Sequence, residues 1–424
     1  MTRGRPAPQR FGVSLLAVLF WGCGSDDAAV SGRALDDVSG VPTTNLTSQC
    51  VSDFDPEVDY FPDKVTVERA ATFTVGYHGH YKVLRSSLRA EAWGGSLDDV
   101  AVLVQCGTPV PDLTGELEGA VAIEVPVTTV AANFLDDIAR IRTVGMADRL
   151  VAIGDGRIYD PEIRARWERG ELLTLGHAFH AGGDTEQLLI ASPDIFLANI
   201  AGPDPLENMR SLGVSVVPTL GWAEPDYLGR AEWTKHAALF FNAEVAANDA
   251  WSALRANVDS LRSLTAELEE RPSVMWTVNR SADRWSAFRS SYENGLIIDA
   301  GGRNIFFAPG NDGLEASLQS VDLTPESMLE QADGVEVWLA SGRDDRDWPT
   351  GPVLNSFRAY RDGRVYHRSG RTIPDTDAND WNETGSVRPD LILRDLIHLV
   401  HPDVLPDHEL MFFREVELTK RSGR

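Results

Sequence analysis

Between Thr66 and Cys106 apolar and polar residues alternate. The run "TFTVGYHGHYKVLRS" keeps a two-residue period and "DDVAVLVQCGTPVP" ends in Gly and Pro turn signals, so the region predicts paired strands. After Gly119 the texture changes. "AVAIEVPVTTV" predicts a buried strand with its loop, "AANFLDDIARIRTVG" a helix, "DRLVAIG" a strand, "DTEQLLIAS" a helix, "PDIFLANI" a strand, "DPLENMRSLG" a helix and "VSVVPTLGW" a strand. Strand alternating with helix at this spacing predicts a parallel sheet with crossover helices.

Residues Glu244 to Glu270 contain neither Pro nor Gly and place Trp251, Leu254, Val258, Leu261 and Leu268 three, four or seven residues apart. That pattern predicts a single amphipathic helix, on the order of 40 Å long at about 1.5 Å per residue. A crossover within one small sheet needs less, so the helix reads as a strut between two domains. Past Arg271-Pro272 the alternation resumes through "SVMWTVN", "FRSSYENGLIIDAGG", "PESMLEQA", "VEVWLAS" and "VLNSFRAYRDGRVYH" to a closing helix in "RPDLILRDLIHLVHPDV". The fold class expected is α/β: two Rossmann-like lobes with parallel sheets joined by a single long helix, with a strand-rich N-terminal extension.

Arg3, Arg5 and Arg10 precede the apolar run "FGVSLLAVLFWGCG", which is too short for a stable bilayer span and has the make-up of a secretory signal. Gly22-Cys23 resembles the cleavage site of bacterial lipoproteins, whose cysteine carries the lipid, although Trp21 and Phe20 depart from that motif. Ordinary signal cleavage a few residues later is the alternative. The small, polar segment that follows has little to bury and reads as a flexible tether. Cys50 and Cys106, an even pair in an exported chain, suggest one disulfide; two free buried thiols are the other reading. The net charge of −25 argues against nucleic acid or an anionic membrane face as partner.

In "GGDTEQLLIASPDIFLAN", Asp184 serves as N-cap, Gln187 completes a capping box, and Glu186 falls in the first turn, where the helix dipole favours an anion. Locally, nothing beyond a well-made helix start is required. Glu326, in "LTPESMLEQADGVEVWLA", is its counterpart in the second half.

Two α/β lobes on one long helix resemble the periplasmic binding proteins that serve ABC importers of ferric siderophores, haem and cobalamin. "VAANFLDDIARIRTVGMADRLVAIG" and "DTEQLLIASPDIFLAN" resemble that family's early helix, strand and glutamate-bearing helix, while "LGRAEWTKHAALFFNAE" and "RPDLILRDLIHLVHPDVLPDHEL" resemble stretches of its iron-complex branch. The likeness runs from Gly119 to Leu418; the region around Cys50 and Cys106 departs from smaller members. The boundaries expected are a signal peptide at 1–22, a tether at 23–62, a first lobe at 63–243 with its extension at 63–115, the connecting helix at 244–270 and a second lobe at 271–424.

The resemblance implies a monomer that is not an enzyme, carries no resident cofactor, and delivers a metal chelate to a permease dimer. A ferric siderophore leads, with a corrinoid or haem as runner-up. It further implies that Glu186 and Glu326 dock onto permease arginines, which fits the use of fixed charges to steer and orient an encounter. Ligands of two-lobed proteins lie at the carboxyl ends of the strands. Candidates there are Thr128, Thr129, His177, His180, Asn199 and Trp222 in the first lobe, and Asn279, Trp285, Arg343 and Trp381 in the second. Eleven tryptophans suit a flat or greasy chelate, though at least half are expected in packing roles. His78 and His80 lie on one face of a strand-like run and read as a solvated edge, leaving His177 and His180 as the better imidazole pair. Arg343 has an anionic ligand group or the neighbouring Asp344, Asp345 and Asp347 to pair with. No metal site is assigned. A lipid-anchored enzyme or a ligand sensor is the alternative of another class, and G-x-S-x-G, H-E-x-x-H and Gly-rich phosphate-loop signatures are absent from the sequence.

Overall fold

The computed structural model describes residues 35–418 apart from 91–94, 177–182, 201, 308–313, 343–347, 350 and 375. A short parallel pair, β1 (Asp36–Val38) and β2 (Gln49–Val51), leads in. A four-stranded sheet follows, with β3 (Phe73–His78), β4 (Tyr81–Ala90) and β5 (Gly95–Gln105) antiparallel and β6 (Val121–Val125) parallel to β5. Leu84, Leu88, Leu97, Leu103 and Ile123 join this sheet to the core of the first lobe.

The first lobe runs β7 (Val130–Ala132), α1 (Leu135–Thr143), β8 (Leu150–Ile153), α2 (Pro161–Glu168), β9 (Leu173–Thr174), α3 (Thr185–Ala191), β10 (Ile195–Ala198), α4 (Pro203–Ser211), β11 (Val216–Pro218) and α5 (Tyr227–Leu239). Its strands are all parallel, in the order β11-β10-β7-β8-β9. β7, β8 and β10 are buried at every residue, as parallel strands covered on both faces by crossover helices must be. The chain then crosses to the second lobe along α6 (Glu244–Thr265), which buries Trp251, Leu254, Val258 and Leu261 on one stripe.

The second lobe contains β12 (Ser273–Asn279), β13 (Trp285–Phe288), α7 (Tyr292–Asp299), β14 (Arg303–Asn304), α8 (Leu314–Ser317), β15 (Ser320–Leu323), α9 (Pro325–Ala332), β16 (Val337–Gly342), α10 (Arg358–Arg361), β17 (Val365–His367), α11 (Thr384–Val387), α12 (Pro389–Val400) and β18 (Arg414–Glu415). β14, β12, β16 and β17 are mutually parallel where they pair. The flanks are antiparallel: β13 hairpins back from β12 to meet β15, and β18 closes the other edge. The second sheet is thus mixed where the sequence pattern suggested a parallel one, because the short turn after Asn279 leaves no room for a crossover.

Several boundaries move. The long helix stops at Thr265 instead of Glu270, so at about 1.5 Å per residue it spans roughly 33 Å. The first half of "AVAIEVPVTTV" is β6, a member of the extension's sheet, which therefore reaches Val125 and not 115; the first strand of the lobe joins the last residue of that run to Ala131 and Ala132, expected to open a helix. His78 ends β3 while His80 sits in the turn to β4, so the two do not share a strand face.

The segment expected to be a tether is packed from Asn45 onward, with Leu46, Val51, Tyr60 and Phe61 buried and Cys50 bonded to Cys106. Three buried carboxylates hold this segment and the start of the extension behind it. Glu232 of α5 accepts the N–H groups of Glu68, Arg69 and Ala70 at 2.8, 2.6 and 2.8 Å. Glu224 accepts those of Ala71 and Thr72, each at 2.9 Å. Glu244, opening α6, accepts from Lys82 at 2.5 Å and from the Asn45 amide at 2.8 Å. Removing so many donors from water is tolerable only because each finds a side-chain acceptor.

Candidate functional site

In the first lobe the carboxyl ends of the strands lead into Asn133 after β7, Gly154 after β8, Asn199 after β10 and Thr219 after β11. The Asn199 N–H donates to Asn133 Oδ1 at 2.8 Å, and the Thr219 hydroxyl to Asp137 Oδ2 at 2.7 Å. Asp137 also pairs with the buried Arg140 at 2.6 Å, although burial pushes its pKa up. Gly154 lies so close to the Asn133 carbonyl that a Cβ would come within 2.3 Å of it.

The second lobe repeats the device: a Cβ on Gly342, which ends β16 with φ of 99°, would fall 2.2 Å from the carbonyl of Asn279, which ends β12. Asn199 and Asn279 are each 2% exposed, and neither Oδ1 finds a partner among the described residues. An unsatisfied buried acceptor costs about 1–3 kcal/mol, which a ligand donor can recover.

The two carboxyl ends meet. The loop leaving β8 pairs Arg157 with Asp155 at 2.6 Å, and the field of Asp377, in the segment leaving β17, also raises the Arg157 pKa. Arg371 lies 5.0 Å over the Tyr159 ring. The Glu383 carboxylate accepts the N–H groups of Tyr159 and Asp160 at 2.5 and 3.0 Å. Burial drives the Glu383 pKa up to about 7, against the opposing pull of those two N–H groups and of Arg142. On the second-lobe wall a cavity of about 260 Å³ is lined by Gly342, His367, Thr372, Thr376, Asp377 and Arg414. Hydroxyl, imidazole, guanidinium and carboxylate groups line it together, a set suited to fixing a polar, charged ligand group.

Among the sequence candidates, Asn199 and Asn279 therefore stand at the strand ends of opposite lobes. Trp222 is half-buried beside a smaller cavity, about 130 Å³, shared with Arg230, Phe288, Tyr292 and Leu318. Arg230 lies 4.3 Å over the Tyr292 ring, and burial raises the pKa of that tyrosine to about 12.

Other candidates are elsewhere. Thr128 and Thr129 precede β7, so they lie at its amino end, where the Asp194 carboxylate accepts from Thr128 N and Oγ1 at 2.7 and 2.8 Å and from Thr129 N at 2.9 Å. They tie neighbouring strands at the end away from the cleft. Trp285 is a core residue, fully buried and packed 5.4 Å from Trp338 and 5.2 Å from Trp348. Trp381 packs against Trp276 and Phe413 and reaches the Tyr292 hydroxyl at 3.3 Å, serving the second lobe's core more than its surface. His177, His180, Arg343 and Cys23 lie outside the described residues.

Glu186 and Glu326 are both exposed in the first turns of α3 and α9. Asp184 caps α3 by accepting from the N–H groups of Glu186 and Gln187, while the full reciprocal capping box occurs on α9, between Thr324 and Ser327. The wall from His367 to Asn379 and the Glu383 contact escaped sequence reasoning, because irregular segments carry no periodic signal.

No family model matches the chain. Two uncharacterized lipoproteins of Methanocaldococcus jannaschii are each 22% identical, one over 76% of this chain and 81% of its own length, the other over 74% and 75%. Among solved structures, Helicobacter pylori CeuE with a nickel–histidine complex is similar at a TM-score of 0.51 and 14% identity, covering 76% of this chain and 90% of that one. A periplasmic haem-binding protein of Pseudomonas aeruginosa gives 0.51 at 17% identity, over 68% and 98%. A periplasmic binding protein of Veillonella parvula gives 0.50 at 13%, over 75% and 98%. With two α/β lobes whose carboxyl ends meet and one long helix between them, the chain has the fold of the periplasmic substrate-binding proteins.

Proposed function

We propose that the chain is an extracytoplasmic substrate-binding protein, held to a membrane by lipid on Cys23, that captures a metal chelate between its lobes and delivers it to an ABC importer permease. The observation that carries this reading is the pair Asn199 and Asn279. Each is buried at a strand's carboxyl end in its own lobe, and each has a carboxamide oxygen without a partner among the described residues. A ligand bridging the lobes satisfies both, and the mixed polar wall around His367 and Arg414 accommodates its charged groups. Two of the similar structures are named for a nickel–histidine complex and for haem binding, which favours a metal chelate over a sugar.

A ferric siderophore is the first choice of ligand, with haem and corrinoids next. Tryptophan fluorescence titration against ferric siderophores, haem and cobalamin tests this, with half-buried Trp222 beside the interlobe cavity as reporter. Saturable quenching by a siderophore is expected. Quenching by haem or cobalamin alone reassigns the ligand, and no response to any of the three counts against the transport reading.

A further inference from the structure

Glu383 is 1% exposed, yet both its oxygens are used by the other lobe: Oε1 accepts the Tyr159 N–H at 2.5 Å and Oε2 the Asp160 N–H at 3.0 Å. Around this contact Arg142 of α1 pairs with Asp160 at 2.5 Å and donates to the Thr384 hydroxyl at 3.3 Å, and Arg371 pairs with Asp380 at 2.5 Å while lying over Tyr159. We propose that Glu383 is a proton-linked clasp between the lobes, fastening the loop after β8 to the turn before α11 more firmly in acid than at neutral pH.

Arg142 from α1 and Asp380 act on Glu383 directly, Asp160 and Arg371 stand beside it, and the elements packed on α11 carry Arg230, Glu232 and Lys235 on α5 and Arg388 and Asp390 at the start of α12. Most are already matched: Glu232 with Lys235 at 2.7 Å and Arg388 with Asp390 at 2.7 Å. The Glu383 carboxylate is left balancing burial against two N–H groups and one shared arginine. Burial wins, and in the fastened state its pKa rises from the usual 4.5 to about 7. Opened to water, the group returns to about 4.5, so fastening takes up a proton between those values. The sign follows: the clasp is at full strength below about 4.5, weakens as pH rises to about 7, and is constant above that. The clasp rests on the transport reading only for its consequence, tighter lobe closure and capture in acid; the contact itself is read out without ligand.

Hydrogen–deuterium exchange of the unliganded full chain tests it. After correction for intrinsic rates, protection of the segment Arg157 to Pro161 is expected to fall by up to about tenfold per pH unit between 4.5 and 7 and then level off, one proton setting that ceiling. In Glu383→Gln the protection should be independent of pH. A flat profile in the unsubstituted chain, or the same slope in the Gln variant, overturns the proposal. So does a ¹³C titration of the unsubstituted Glu383 carboxyl with a midpoint near 4.5, a measurement that stands whether or not the variant folds. A chain that binds no chelate yet shows the pH-dependent protection loses the ligand assignment and keeps the clasp.

Discussion

Lys82 Nζ lies 2.5 Å from Glu244 Oε1 with both side chains sealed from solvent, joining the strand-rich extension to the first residue of the interlobe helix. The ammonium also donates to the Leu239 carbonyl at 2.7 Å and to Asn242 Oδ1 at 2.8 Å, which completes its three donors. Burial pulls the lysine pKa down, and Glu244 opposes that pull. Glu244→Ala strands a buried ammonium and should cost about 3–5 kcal/mol in urea unfolding. A double change, Lys82→Met with Glu244→Leu, should recover part of the loss; it leaves Asn45 and Asn242 short of partners, so full recovery is not expected. A cost below about 1 kcal/mol for the single change would mean that the extension is not held here.

His236 of α5 sits 4.3 Å from Trp233, with Phe73 and Phe240 at 5.5 and 5.4 Å, and burial, aided by Arg140, depresses its pKa to about 3. In the unfolded chain the imidazole titrates near 6.5, so the unfolded state binds more protons between these values. Its contribution is present above about 6.5 and is lost as pH falls toward 3, at no more than about 1.4 kcal/mol per pH unit. His236→Leu should flatten the stability–pH curve between 6.5 and 4, measured by urea midpoints at constant ionic strength. Parallel curves for the two proteins would rule this out.

Cys23→Ser should move the protein from the membrane fraction to the soluble extracytoplasmic fraction. No helix among the described residues is long and apolar enough to cross a membrane, and one lipidated residue is the anchor the sequence offers. Unchanged fractionation would mean ordinary signal cleavage or another attachment.

What was legible in the sequence follows from where periodicity is strong. α6, α12 and the strands "PDIFLANI", "SVMWTVN" and "VEVWLAS" declare themselves through helical stripes or continuous apolar runs. α2 does not, because Ile163 is the one residue it buries and every second residue of "PEIRARWE" is charged; β9 has only two residues. The pattern also cannot say which sheet a strand joins, so β6 was assigned to the lobe when it pairs with β5. A similar blindness affected the site. Trp285 and Trp381 look like loop tryptophans in sequence, but ring packing against Trp338, Trp348, Trp276 and Phe413 takes them inward. Thr128 and Thr129 fall near the end of the run "AVAIEVPVTTV", whose first half is β6; the lobe's own strand starts only at Val130, which puts both threonines at its amino end. Asn199 and Asn279 are legible as strand-end positions because each closes a continuous apolar run.

Glu186 and Glu326 occupy matching places: α3 leads into β10 and α9 into β16, and each of those strands pairs in parallel with the first strand of its lobe. Both side chains are exposed in a first helical turn, a position that a dipole explanation and a docking explanation share. The two accounts part on substitution. If the carboxylates meet permease arginines, Glu186→Lys and Glu326→Lys should leave chelate affinity nearly intact, because Asn199, Asn279 and the wall around His367 are untouched. Uptake into cells should fall sharply, because like charges across a contact repel and misalign the partners. If the carboxylates serve only their helices, each change should lower stability by about 0.3–1 kcal/mol, with uptake spared. The dipole term is bounded at that size because Asp184 and Thr324 continue to satisfy the N-terminal N–H groups in either variant. Melting temperature, chelate affinity and uptake measured on both single variants and the double variant separate the accounts, and wild-type uptake by the double variant would end the docking assignment.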